Sequence, residues 1–134
     1  MLSTCPCGGE SYAACCGPAL DAGAYPATAE ALMRSRYSAF ALKRWRWLVD
    51  THDPRTRGGL DEGQLQASSG ETTWLGLEIV DTWRGAAKDK VGKVEFIARF
   101  EEAGGAQGQI HERSRFRRAK GRWVYVDGVI GERP

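Results

Sequence analysis

The chain has 134 residues, 19 of them basic and 17 acidic, for a formal net charge of +2; 42% are hydrophobic. That length suits one domain with a small appendage and can bury a core without disulfide staples. The near-neutral balance disfavours a general polyanion-binding protein. No run of about 18 apolar residues offers a membrane-spanning helix, and Met1-Leu2-Ser3-Thr4-Cys5 lacks the basic and apolar regions of a secretory signal. The sequence therefore predicts a cytoplasmic protein with no membrane partner.

The first element is a cysteine cluster. All four cysteines, Cys5, Cys7, Cys15 and Cys16, lie within the first sixteen residues. Such close residues could tie only one short loop to itself, and the expected compartment is reducing, so a structural disulfide is disfavoured. A redox pair is disfavoured too, because no C-x-x-C occurs. Four thiolates form a closed tetrahedral shell for zinc, with iron as the alternative metal, and leave no open position for metal catalysis. Their ionisation would bring the net charge near zero. Gly8 and Gly9 let the chain turn after the first pair and aim backbone N–H groups at the sulfurs. Gly17-Pro18 ends the module.

The segment Cys5-Pro6-Cys7-Gly8, Tyr12 and Cys15-Cys16 resembles the SEC-C motif, C-P-C-G-S-G-x-x-[YF]-x-x-C-[CH], found at the end of the translocase motor SecA and in other bacterial proteins. It departs at Gly9-Glu10, where the motif usually has Ser-Gly. The resemblance implies zinc held by all four cysteines, and a module that docks on a protein partner.

Residues 1–18 are thus assigned to the module, 19–27 to a Gly/Ala/Pro linker, and 28–134 to a main domain. Thr28 is a suitable N-cap and Glu30 suits a first turn, opening a helix expected to run from about Ala29 to Val49. Met33, Tyr37, Phe40 and Leu48 form its apolar stripe, interrupted by Arg44. Asp53-Pro54 stops it. Residues 55–73 read mostly as loop, with a short helix around Leu60–Gln66.

From Thr73 the period changes to two. Strands are expected at 73–84, 92–102, 108–118 and 122–130. Turns at Ala103-Gly104-Gly105 and Lys120-Gly121 join the last three into an antiparallel meander. A long helix followed by such a sheet is α+β.

Four further segments are Met33-Arg34-Ser35-Arg36-Tyr37-Ser38-Ala39-Phe40, Thr51-His52-Asp53-Pro54, His111-Glu112-Arg113-Ser114-Arg115-Phe116 and Gly121-Arg122-Trp123-Val124-Tyr125-Val126-Asp127-Gly128. With the cysteine module they resemble the bacterial YchJ family. That resemblance implies a long helix against a curved antiparallel sheet, the nuclear-transport-factor-2-like fold. Some members carry a second SEC-C motif near the C-terminus; Gly131-Glu132-Arg133-Pro134 has no cysteine to build one.

Folds of this type often enclose a pocket between helix and sheet. Candidates to line it are Arg34, Arg36, Tyr37, His111 and Asp127. An arginine there could hold an anionic ligand or bridge to Asp127 or Glu112. His111 with a nearby carboxylate could act as a base, but a hydrogen-bonded sheet histidine is the simpler reading. His52 is explained by a helix C-terminus. No catalytic triad, phosphate loop or nucleotide fingerprint is present.

Three functions compete. The favoured one is a non-catalytic zinc protein that docks on a protein partner through its module. The second is a small-molecule-binding domain or enzyme with a pocket of several hundred Å3. It would fail if Trp74, Trp83, Phe96 and Trp123 filled the concave face. The third is nucleic-acid binding by Arg113, Arg115, Arg117, Arg118, Lys120 and Arg122 with Phe116 and Trp123. A charged edge that resists aggregation explains these residues better.

Overall fold

The computed structural model describes residues 4–131, which form five helices and four strands. They are α1 (Gly17–Ala22), α2 (Ala29–Leu42), α3 (Trp45–Asp50), α4 (Pro54–Arg57), α5 (Glu62–Ser69), β1 (Thr73–Arg84), β2 (Val91–Glu101), β3 (Gln107–Ala119) and β4 (Arg122–Ile130). No described helix is long and apolar enough to cross a membrane. The C-terminal residues considered for a second motif lie largely outside the described range.

The strands form one antiparallel sheet in chain order, β1-β2-β3-β4. The β3–β4 turn, Lys120-Gly121, has positive φ at both residues (53° and 81°). That geometry matches the right-handed twist of a two-residue hairpin. Phe96, Ala98, Ile110, Glu112, Ser114 and Tyr125 lie on the sheet face toward the helices, where they line a common cavity. Register shifts at Leu75 and Val80 in β1 and at Val126 in β4 interrupt the alternation. Each such bulge increases the local twist and re-aims the residues that follow.

The single long helix is corrected to two. Thr28 caps α2 as expected, accepting a hydrogen bond from Ala31 N at 3.1 Å, and Glu30 sits in its first turn. The helix ends at Leu42, because Lys43 adopts a left-handed φ of 60° and returns its N–H to Ala39 and Phe40 carbonyls. A straight continuation would carry Arg44 along the apolar stripe. The break instead lets Arg44 reach Asp21 at 2.8 Å, while Trp45, Trp47 and Leu48 of α3 turn inward. Pro54 does not merely stop a helix: it opens α4, capped by Asp53, whose carboxylate accepts from Arg55 N. This position suits proline, which lacks only an N–H that a first turn leaves unpaired. The short helix expected at 60–66 is α5, shifted to Glu62–Ser69 and capped by Asp61.

The first part of the expected linker is also helical. α1 starts on Gly17-Pro18 and ends on Gly23 in the left-handed region (φ 69°). Cys5, Cys7, Cys16 and Ala19 join the same buried cluster as Leu32, Tyr37, Trp47, Phe96 and Trp123. The cysteine segment therefore packs into the core of the chain.

Candidate metal centre and cavity

The N-terminal loop folds back on itself through backbone bonds from Cys5 N to Gly9 O (3.0 Å) and from Gly17 N to Tyr12 O (2.8 Å). These contacts bring four sulfurs together. All four Sγ atoms lie within 4.8 Å of one another. Cys7 Sγ is 3.5 Å from Cys15 Sγ and 3.7 Å from Cys16 Sγ, and Cys15 and Cys16 are 3.9 Å apart. These are free thiols, far beyond the roughly 2.05 Å of a disulfide. A tetrahedral ion with metal–sulfur bonds of about 2.3 Å needs sulfurs about 3.8 Å apart. The cluster thus fits a four-thiolate metal.

The surroundings favour thiolate at Cys7. Hydrogen bonding from Cys16, then from the Gly9 backbone and the Cys15 and Cys5 thiols, pulls its pKa well down against burial. Cys16 is pushed up, chiefly as the donor to Cys7, and burial raises Cys15. Arg34 Nη1 donates to Cys7 O at 3.1 Å and lies 3.9 Å from Cys7 Sγ, with Glu30 at 2.9 Å steadying its Nε. Ser38 Oγ is 3.5 Å from Cys5 Sγ. Both Arg34 and Ser38 belong to α2, so the helix supports the sulfurs from outside the ligand set, as outer-shell groups do at metal sites. At Gly9, where the motif usually has Ser, a Cβ would lie 2.8 Å from Cys15 Sγ.

Below the helices, a cavity of about 360 Å3 opens on the inner face of the sheet. Its apolar wall includes Met33, Phe40, Leu48, Trp74, Phe96 and Ile110, and its polar wall Arg36, His52, Glu112, Ser114 and Tyr125. Arg36 is 7% exposed. Its Nη1 donates to Leu48 O (3.1 Å) and Thr51 Oγ1 (2.7 Å), and its guanidinium lies 4.6 Å from the centre of the Tyr125 ring. Glu112 Oε2 accepts from the Ser114 and Tyr125 hydroxyls. Burial, with Glu112 nearby, raises the Tyr125 pKa. Burial lowers that of His52, and the charges of Arg36 and Arg57 push it the same way. Trp74 and Phe96 line the cavity without filling it.

The five pocket candidates separate. Arg36 and Tyr37 line the cavity, where burial raises the Tyr37 pKa. Arg34 does not; it faces the cysteines. His111 lies on the opposite sheet face, 2.6 Å from Glu95 Oε2, as a hydrogen-bonded sheet histidine. Asp127 also faces away, paired with Arg115 at 2.5 Å. Strict alternation from Tyr125 would have put Asp127 in the cavity, but the bulge at Val126 turns it outward. Of the other polar residues on the cavity wall, Glu112 was considered as a partner for an arginine and His52 as a helix-end residue, while Ser114 and Tyr125 were not singled out. The shared parity of Ile110, Glu112, Ser114 and Phe116 was the signal for the β3 pair.

The basic hairpin is largely engaged within the chain. Arg117 pairs with buried Asp53, Arg118 donates to the carbonyls of Asp89, Ala87 and Gly121, and Arg122 lies 4.5 Å over the Tyr25 ring. Phe116 and Trp123 are 2% and 0% exposed. Neither offers a free face on which a single-stranded base could stack.

Comparison with known proteins gives a consistent picture. Residues 28–128 match the family model described as YchJ, middle NTF2-like domain. A UPF0225 protein of Chromobacterium violaceum is 46% identical over 129 residues, covering 96% of this chain and 93% of the relative. One from Geobacter sulfurreducens is 39% identical, covering 96% and 80%. Among solved structures, a SEC-C motif-containing protein from Rhodopseudomonas palustris superposes with a TM-score of 0.85 at 42% identity, covering 96% of this chain and 99% of that one. Another from Psychrobacter arcticus gives 0.80 at 30% identity, covering 99% and 85%.

Proposed function

This chain belongs to the YchJ family, and from that premise we propose that it is a non-catalytic, zinc-braced protein of the cytoplasm that binds a small molecule. The observation that carries the ligand-binding reading is the cavity: about 360 Å3 of space with an apolar wall and a few converging polar groups. Ligand sites have this composition and a volume on the order of 300–1,000 Å3. The metal is a brace, since four thiolates leave no open position, and zinc is the usual ion in such closed shells.

Ala98 lines the cavity and is 3% exposed. Screening a library of small apolar compounds by chemical-shift mapping should perturb signals from Met33, Leu48, Leu65 and Ile110 together. Ala98→Leu, which fills the space, should abolish that response while the fold persists. Absence of any response around the cavity, or an undiminished one in the filled variant, would contradict ligand binding.

Docking on a protein partner through the module is the second reading. It is favoured by the exposure of Gly8, Glu10, Ala13, Ala14 and Pro18 on a loop whose cysteines are anchored in the core. Binding of a partner protein that is lost on substituting these exposed residues, with metal retained, would support it.

A further inference from the structure

We propose that the cavity takes a small apolar acid, an aromatic or aliphatic monocarboxylate, with its carboxylate on the free edge of Arg36 and its hydrocarbon body against Met33, Phe40, Leu48 and Trp74. This rests on the ligand-binding reading above and adds the chemical class of the ligand.

Arg36 is a buried cation held in a fixed pose. Leu48 O and Thr51 Oγ1 anchor Nη1, and the Tyr125 ring supports the guanidinium face. Among the described residues, its Nε and Nη2 have no hydrogen-bond partner, and no carboxylate lies within ion-pair distance. Glu112, the acid of the same wall, instead has Oε2 engaged by two hydroxyls. A buried guanidinium with no carboxylate in contact is costly, and Glu112 acts on this one only from a distance. In keeping with this, burial draws the Arg36 pKa down to about 10. The unused Nε–Nη2 edge is a planar fork that matches the two oxygens of a carboxylate.

An amine would place like charge beside Arg36, and Glu112, the acid of that wall, already has Oε2 engaged by two hydroxyls. Burial and its cationic neighbours disfavour charge on His52, so Arg36 is the one guanidinium on a wall that also carries Glu112, which suits a single carboxylate rather than a polyphosphate.

The test is calorimetric titration of the zinc-loaded full chain with 1-naphthylacetate and octanoate, each beside its uncharged amide. Each acid should bind about tenfold or more tighter than its amide, the scale of a charged hydrogen-bonded pair. Arg36→Met should erase that preference. The acid-to-amide ratio in the unaltered protein is decisive even if Arg36→Met fails to fold. Equal affinities would overturn the carboxylate assignment and leave the ligand-binding reading standing. No binding of acid or amide, with no response to the compound library, would remove both.

Discussion

Cys7→Ser is expected to abolish stoichiometric metal retention and to lower the unfolding free energy of the whole chain by roughly 3 kcal/mol or more. Cys7 is fully buried, and its sulfur neighbours those of Cys15 and Cys16. The substitution removes one of four ligands and leaves an alcohol among thiols, which forms a far poorer bond to a soft-ligand metal site. The loss should reach beyond the module, because Cys5, Cys7 and Cys16 share a buried cluster with the helices and the sheet. Denaturant unfolding followed by tryptophan fluorescence would show one transition at a lower midpoint. Ala13→Ser, on the exposed side of the same loop, should change neither metal content nor midpoint. An unchanged midpoint in Cys7→Ser would mean that the cysteine segment is an independent appendage.

The second large effect is expected at Asp53, which ties the helical layer to the sheet. Asp53 is 1% exposed, caps α4, and takes two hydrogen bonds from Arg117 of β3, one of 2.7 Å from Nη2 and one from Nε. Its backbone N–H also bonds Tyr125 O at 2.8 Å. Asp53→Asn keeps a good cap but deletes the charge, leaving a guanidinium without its partner. Breaking the pair from one side should lower stability, by less than for a fully buried pair because the Arg117 side chain keeps contact with solvent. Arg117 holds the Asp53 carboxyl at about 2, below its ordinary 3.8. Between those values the unfolded chain binds a proton that the folded chain does not. The stabilisation is therefore fully present above about pH 4 and is lost as pH falls through about 2. Urea unfolding of the two proteins side by side should show a gap that is constant from pH 7 to 5 and narrows below pH 4. Because the cysteine cluster is common to both, acid effects on the metal cancel in the comparison. A gap independent of pH would contradict the ion-pair assignment.

These two residues mark how far the sequence could be read. The gathering of the four cysteines was legible because thiol chemistry leaves few uses for residues so closely spaced. The strands were legible within a residue or so because alternation in segments such as Val94–Ala98 is strong and the turns carry glycine. The helix break at Lys43 was hidden, since a left-handed lysine carries no signal comparable to glycine, and its gain comes from turning Trp45, Trp47 and Leu48 into the core. α1 did carry its marks, Pro18 at the start and Gly23 at the end, but six residues are too few for periodicity to register. The bulge at Val126 decided whether Asp127 faced the cavity, and nothing in the local pattern announces it. Tyr37 was recognisable as a pocket residue from the apolar stripe of α2, and Arg36 from its place in the middle of that helix. The anchoring of Arg36 by Thr51 and Leu48 depends on how α3 folds back over α2.

The most direct test of the metal brace is X-ray absorption at the zinc edge, with metal content measured on the same untagged protein. One zinc per chain with four sulfur neighbours at about 2.3 Å, and no nitrogen or oxygen in the shell, is the predicted result. Iron in its place, a shell completed by nitrogen or oxygen at about 2.0 Å, or protein folded to full stability with no metal would contradict it.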